Sequence, residues 1–333
     1  NESPSVTFGE ARTTILPGPK TTAAPTSSAE YIFNQIKYHK FAVLAFLLIV
    51  IAAGTALAFY LTARNANSAI DSIAVLPFEN QNHDPESDYL ADGLTDTIIN
   101  NLSNISSLRV SPRNSVFRYK GKETDPAAIA KELGVRAVLT GRIQQRGDNM
   151  VVSAELVDMR DNKQVWGNTY TRTLADLQSV QGEIASQITQ TLQRRLSGEE
   201  QRQLAKRHTE NSEAYQLYLK GHYQLNKRTV ESLKKGIDYF RKATEQDPSY
   251  ALAYSGLAAA YNHLGMWAQL PPGESFPKAK AAAERALQLD SNLAEAHSAL
   301  AFSKFQYYWD FEGSEREDQL AINLNPRYVA ARE

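Results

Sequence analysis

The sequence predicts a chain of three parts: one transmembrane helix, a mixed α+β domain and an all-helical repeat array. The first observation is an uncharged apolar run over residues 41–63. The second is a region from about residue 70 in which strand-like apolar clusters alternate with helical stripes. The third is that only helical spacing remains after residue 211, where a short motif recurs. These patterns place two folded regions after one candidate membrane helix.

The stretch before the apolar run predicts a linker. Residues 1–29 are rich in Thr, Pro, Ser and Ala and hold few large apolar side chains. Because such a segment buries little apolar surface, we expect a disordered juxtamembrane linker. Residues 30–64 are interpreted as an amphipathic lead-in followed by the membrane helix. The chain begins with Asn1, so we expect it to be a piece of a longer protein.

The run over residues 41–63 predicts a single membrane span. A helix of this length measures roughly 35 Å, enough for a hydrocarbon core of about 30 Å. A buried core helix would usually be shorter, and a signal peptide would lie closer to the start of the chain. Lys37 and Lys40 precede the run and Arg64 follows it. The positive-inside rule then predicts a bacterial inner-membrane protein whose amino terminus is cytoplasmic and whose carboxyl-terminal domains are periplasmic.

Residues 70–196 predict an α+β domain. A buried strand is expected over 72–78, and an amphipathic helix over 89–105. Asp125 as N-cap and Gly134 as C-terminal stop predict a short helix from 126 to 133. Three further strands joined by short turns predict an antiparallel meander, at 136–145, 150–158 and 164–171. A long helix over 177–196 completes the domain.

A connecting helix and a repeat array follow. Ser197 and Glu200 form a capping box that starts a helix in the connecting segment 197–210. Over residues 211–333 a dipeptide that ends a helix recurs at 247–248 (DP), 290–291 (DS) and 325–326 (NP). The separations are 43 and 35 residues. They predict stacked helical hairpins, with the last copy truncated in a fourth repeat.

The repeats resemble tetratricopeptide (TPR) repeats. The segments that carry the resemblance are 251–254 (ALAY), 294–297 (AEAH) and the later 325–326 (NP). The resemblance implies an all-α solenoid whose concave wall binds an extended peptide or a partner helix. Counting along the pattern predicts a groove lined by Ser255, Ala259, Asn262, His263, Ser298, Phe302, Phe305 and Gln306. The alternative is that these side chains only pack the superhelix or face solvent.

The α+β region resembles the amino-terminal domain of TolB and its FlgO-like relatives. The resemblance lies in 73–78 (IAVLPF), 89–94 (YLADGL), 133–141 (LGVRAVLTG) and 165–166 (VW). It implies a non-catalytic module of envelope assemblies and receptors. The order of all segments resembles the carboxyl-terminal half of bacterial receptor Ser/Thr protein kinases. CadC-like membrane transcription regulators, which share a similar order, are the second choice.

The residue inventory argues against catalysis. The chain holds no cysteine, six histidines without metal-ligand spacing, and no phosphate-loop, nucleophile-elbow or kinase motif. We therefore expect no enzyme activity, no cofactor and no metal in this chain. A formal net charge of −1 gives no basic excess for nucleic acid. An acidic cluster at Asp84, Glu86, Asp88 and Asp92 could hold a cation, but acids at a helix start explain it better.

These observations predict the sensor part of a signalling protein. We expect the transmembrane and extracytoplasmic protein-interaction region of a receptor Ser/Thr protein kinase whose kinase domain lies upstream. The alternatives are an envelope-assembly scaffold, or a CadC-like regulator whose DNA-binding domain lies elsewhere. The expected partners are a protein or peptide in the TPR groove and the membrane, and an oligomer is compatible with the sequence.

Overall fold

The computed structural model describes residues 40–66, 70–192 and 196–325. The chain divides into two compact units, residues 1–68 and residues 69–333. The predicted linker over 1–29 and the predicted fourth repeat from residue 326 lie outside the described residues. The domain boundaries predicted at 196 and 210 fall inside the second unit.

The first unit corrects the predicted membrane span. Its helix α1 runs over Lys40–Ala66, and its side chains are described for residues 44–58. Within the described residues no helix has both the length and the apolar character needed to cross a bilayer. The predictions of a transmembrane helix over 41–63 and of an inner-membrane location with periplasmic domains are therefore not supported.

The second unit begins with a mixed sheet. Its strands run in the order β3-β1-β4-β5-β6, and β2 pairs separately with β4. The pairs β1–β3, β1–β4 and β2–β4 are parallel, whereas β4, β5 and β6 form the predicted antiparallel meander. The strand bounds are β1 Ser72–Val75, β2 Glu79–Asn80, β3 Arg109–Val110, β4 Ala137–Arg146, β5 Asn149–Asp158 and β6 Lys163–Thr173.

Four helices accompany this sheet in the described residues: α2 Asp88–Ser103, α3 Arg113–Phe117, α4 Pro126–Leu133 and α5 Leu177–Thr191. The predicted caps of α4 are confirmed. Asp125 accepts a hydrogen bond from the Ala127 backbone N–H at 3.0 Å. Gly134 ends the helix with a φ of 62°, a left-handed conformation that glycine adopts without strain.

The helical repeats are three hairpins in the described residues, reached through the connecting helix α6 Gly198–Ala205. The predicted capping box of α6 is confirmed, because Ser197 and Glu200 each hold the other's backbone N–H. A π-helical turn at Lys304–Tyr308 interrupts the last hairpin. The hairpin helices are α7 Ser212–Asn226, α8 Val230–Gln246, α9 Ala251–Met266, α10 Pro272–Leu289, α11 Ala294–Ser303 and α12 Phe311–Leu324.

Glycines let the first two hairpins approach closely. The fully buried ring of Phe240 in α8 lies between Gly221 of α7 and Gly256 of α9. A Cβ atom would come within 2.7 Å of that ring at Gly221 and within 2.5 Å at Gly256. Both distances are shorter than a carbon–carbon contact tolerates. The sequence therefore keeps these two positions free of side chains so that three helices can share one aromatic anchor.

Candidate functional site: a cleft between the sheet domain and the repeats

The first repeat helix is locked onto the helices of the sheet domain. The Tyr215 hydroxyl in α7 donates to Gln181 Oε1 in α5 at 2.5 Å, and both residues are buried. One turn further along α7, Leu219 packs on Gly93 of α2 so tightly that a Cβ there would lie 2.8 Å from Leu219 Cδ2. The two regions therefore share a tightly packed interface, which we call the seam.

A carboxylate of α2 reinforces the seam. Asp96 is 7% exposed and accepts from Arg113 Nε at 2.7 Å. The same carboxylate lies 3.3 Å from Nδ2 of Asn226 and 3.3 Å from Nδ1 of His222, both in α7. A buried carboxylate needs such partners because burial alone favours its neutral form. Asp96 therefore joins the sheet domain to the first repeat through one charged centre.

Next to the seam lies a cleft with a volume of about 1810 Å³. Its walls come from the end of α2, one side of α5, the connecting helix α6, the starts of the repeat helices α7, α9 and α11, and the end of α12. Twelve of its lining residues are asparagines or glutamines: Asn100, Asn101, Asn104, Gln178, Gln181, Gln187, Gln190, Gln201, Gln203, Asn292, Asn323 and Asn325. Carboxamides both donate and accept hydrogen bonds without carrying charge. The cleft is thus a neutral hydrogen-bonding surface over most of its length.

The segment containing α6 is held in place by polar contacts. Glu200 Oε1 accepts from the backbone N–H and the hydroxyl of Ser106, at 2.9 and 3.0 Å. These backbone hydrogen bonds, first from Ser106 and then from Ser197, lower the pKa of Glu200 to about 2. At the other end, Lys206 Nζ lies 2.6 Å from Asp290 Oδ2, just after α10. The connecting segment therefore bridges the sheet domain and the second repeat along one wall of the cleft.

Gln181 is the most unusual residue of this lining. Its side chain is 1% exposed, and its Oε1 accepts from Tyr215. Its Nε2 has no hydrogen-bond partner among the residues that the structure describes. Buried donors without a partner are rare in folded proteins, because each costs about 1–3 kcal/mol. Gln181 thus brings an unused donor to the wall of the cleft.

Charged and titratable groups gather where α6 meets the repeats. Burial, followed by the Lys206 charge, lowers the pKa of His208 to about 4. Burial also raises the pKa of Glu295 at the start of α11. A hydrogen bond from its own backbone N–H is the largest influence that opposes the effect of burial. In the described part of the chain the Glu295 carboxylate forms no ion pair, so this end of the cleft contains a carboxylate without a cationic partner.

Three of the predicted groove residues are buried in the repeat stack. Asn262 is 4% exposed and donates to the Ala299 carbonyl at 2.8 Å. Its Oδ1 accepts from the Ser303 hydroxyl, also at 2.8 Å. Ser255 and Ser298 are 4% and 8% exposed. The two hydrogen bonds of Asn262 join α9 to α11.

The other predicted groove residues lie closer to the surface. His263 is half-buried with its ring 5.5 Å from that of Trp267, and Phe302 is also half-buried. Phe305 is 50% exposed, Gln306 is exposed and Ala259 is half-buried. None of the predicted groove residues belongs to the lining of the cleft. The groove assignment stays a prediction for all eight residues.

The acidic cluster near α2 has structural contacts. Asp84 caps the short turn before α2 by accepting from the Glu86 backbone N–H at 3.0 Å. Lys120 Nζ lies 2.6 Å from Asp92 and 3.8 Å from Asp88. Burial raises the pKa of Asp92 while the bond from Lys120 opposes that shift. The carboxylates of the cluster thus cap the turn before α2 and pair with Lys120.

Known proteins share parts of this architecture. Residues 68–189 match the family model for the second domain of HilA/YgeH-like transcriptional regulators. A Rhizobium meliloti (strain 1021) protein described as "Putative adenylate cyclase 3" is 32% identical over 234 residues. That match covers 70% of this chain and 40% of the relative, so the chain spans less than half of the relative's length.

Solved structures similar to parts of this chain include TolB and a TPR domain. TolB from Acinetobacter baumannii is 21% identical with a TM-score of 0.29, and the match covers 37% of this chain and 29% of that chain. The first TPR of Spaghetti (RPAP3), bound to the HSP90 peptide SRMEEVD, is 20% identical with a TM-score of 0.31. That match covers 38% of this chain and 90% of the TPR chain. Each of these two matches covers less than two fifths of this chain.

Proposed function

We propose that this chain is the non-catalytic, protein-binding region of a larger bacterial regulatory protein. The observation that carries the proposal is the cleft of about 1810 Å³ at the seam of the sheet domain and the repeats. A partner in this cleft would touch both regions at once. Binding of the partner would therefore affect the sheet domain and the repeats together, because the seam joins them.

The lining of the cleft suits recognition of a polypeptide. Peptide groups of an extended segment present alternating donors and acceptors, and carboxamides satisfy both kinds. Asparagine and glutamine do not titrate, so they supply no general acid or base. Apolar contacts come from Tyr215 and Leu252 on the repeat side. The mixture of a few apolar side chains with many uncharged polar ones is typical of a peptide-binding surface rather than of an active site.

The relatives support a regulatory setting with more than one output. The family model matching residues 68–189 describes a domain of transcriptional regulators. The relative from Rhizobium meliloti is named as a putative adenylate cyclase. One description names a transcriptional regulator and the other an enzyme, yet both proteins contain a region similar to this chain. This difference supports a role in recognition, rather than in catalysis or DNA binding, for the similar region. A DNA-binding output is our first proposal, and the Ser/Thr kinase output, which rests on segment order, is the second.

Site-specific photocrosslinking in bacterial cells that contain the complete protein tests this function. A photoreactive phenylalanine analogue replaces Gln190 or Asn292, which are exposed in the cleft, or Lys242, which is exposed on α8 away from it. A fourth position, Gln306, samples the groove predicted from the sequence. We expect a discrete protein adduct from Gln190 and Asn292 and none from Lys242. No adduct from either cleft position, or equal adducts from all positions, would contradict the proposal.

A further inference from the structure

The buried donor of Gln181 indicates one contact that a ligand would make. The Gln181 side chain is 1% exposed, lines the cleft and leaves Nε2 without a partner in the described residues. Its oxygen is already used by the Tyr215 hydroxyl at 2.5 Å. The free amide hydrogen therefore suits an acceptor, and the backbone carbonyl of a polypeptide is the commonest neutral acceptor.

The charges in the cleft indicate what else the ligand carries. Lys206 is paired with Asp290 at 2.6 Å, and Arg207 with Glu210 at 3.0 Å. Glu295 has no ion pair among the described residues. A carboxylate in a partly desolvated cleft is stabilised by a cation at hydrogen-bond distance. Among the described lining residues both lysine and arginine cations are paired, so the cleft complements a positive charge rather than an anionic ligand.

Aromatic side chains add an apolar surface to the cleft. The rings of Tyr215 and Tyr218 are stacked, with centroids 6.4 Å apart and planes inclined by 23°. Both tyrosines and Leu252 line the cleft. The long aliphatic stems of lysine and arginine pack well on such a surface while their charged ends reach a polar group. Tyr215 contacts Gln181 directly, through the hydrogen bond from its hydroxyl to Gln181 Oε1.

We propose that the cleft takes an extended polypeptide bearing a lysine or arginine, whose cation pairs with Glu295 while Gln181 Nε2 donates to a backbone carbonyl. The proposal rests on the protein-binding function above and names the chemistry of the partner. Glu295 selects the basic residue, and Gln181 contributes binding that does not depend on the peptide's side chains.

Peptide libraries test the inference on the full chain. The probes are dodecapeptide pools with one central position fixed as Lys, Arg, Gln or Glu and the other positions randomised. The immobilised chain is exposed to equal amounts of each pool, and the bound peptide is quantified by mass spectrometry. The variants are Glu295→Gln, Gln181→Met and the control Glu245→Gln, which removes an exposed acid on α8. Circular dichroism melting verifies that each variant is folded.

We expect the Lys and Arg pools to be retained roughly tenfold better than the Glu pool, as about 1.4 kcal/mol of charge pairing gives. Glu295→Gln should remove most of this preference, whereas Glu245→Gln should keep it. Gln181→Met should lower retention of all pools to a similar extent. Equal retention of the four pools by the unaltered chain, or an unchanged preference in Glu295→Gln, would overturn the inference. If photocrosslinks from Gln190 and Asn292 still form, the proposed function survives; if they are absent too, both proposals fail.

Discussion

At the scale of single residues, Gly141 controls how closely the chain before β2 approaches β4. A Cβ atom at this position would lie 2.1 Å from the ring of Phe78, which is itself buried. Gly141→Ala should therefore lower the free energy of unfolding by about 2 kcal/mol or more, because overpacking of a core displaces its neighbours. Urea unfolding measures the change. Gly198→Ala, where a Cβ meets nothing within 4 Å, is the matched control and should leave stability nearly unchanged.

His208 should make the fold sensitive to mild acid. Its pKa falls from 6.5 to about 4 on folding, so the unfolded chain binds the proton more tightly. The stabilisation from neutral His208 is complete above pH 6.5 and is lost as the pH falls towards 4. Between pH 7.5 and 5 we expect a loss of about 1–2 kcal/mol from this group. Unfolding free energies of His208→Gln at the two pH values should differ by correspondingly less. An unchanged pH dependence in this variant would contradict the assignment.

Local chemistry explains which residues could be read from the sequence. The caps at Asp125 and Gly134 and the box of Ser197 and Glu200 act within a few residues, so the sequence order contains all of their geometry. Gln181 gave no such signal, because its partner Tyr215 is 34 residues away. The cleft residues depend on contacts between distant segments. The glutamines of α5 and α6 can be read from the sequence, but the sequence does not show that both helices line the same cleft.

At the scale of the helices, Asn262 shows what a repeat pattern leaves open. The repeat pattern located α9 and α11, and it assigned Asn262 to a groove. In the structure its side chain bonds to Ala299 and Ser303 in α11 at 2.8 Å each. Counting along one helix does not reveal how far the next hairpin covers it. The same limit applies to α1, whose apolar composition predicted a span that the described residues do not support.

Asn262→Ala should therefore act on stability. Removing the side chain leaves the Ala299 carbonyl and the Ser303 hydroxyl without this partner in a buried site, at a cost of about 2 kcal/mol. The exposed Gln306→Ala serves as the comparison and should change stability by less than about 0.5 kcal/mol. Chemical denaturation followed by circular dichroism measures both. A stable Asn262→Ala protein with weakened partner binding would instead favour the groove interpretation.

At the scale of the whole second unit, the seam makes the sheet domain and the repeats unfold together. Leu219 fills the space over Gly93, and Tyr215 reaches Gln181. The sequence predicted a sheet domain and repeats in the right order, but not that they pack on each other. Complementary shapes from segments that are distant along the chain leave no periodic trace in a sequence. The central claim is that these two regions form one body, with the binding cleft at their seam.

Urea unfolding followed by two local fluorescence probes tests that claim most directly. One version of the chain keeps Trp166 of β6 as its reporter and replaces Trp267 and Trp309 by Phe, and the other keeps Trp267 at the end of α9. We predict the same midpoint from both reporters. Leu219→Ala, which empties the seam and should cost about 2–5 kcal/mol, should lower both midpoints together. Loss of the Trp267 signal at a lower urea concentration than the Trp166 signal, with Leu219→Ala shifting only one of them, would contradict the account.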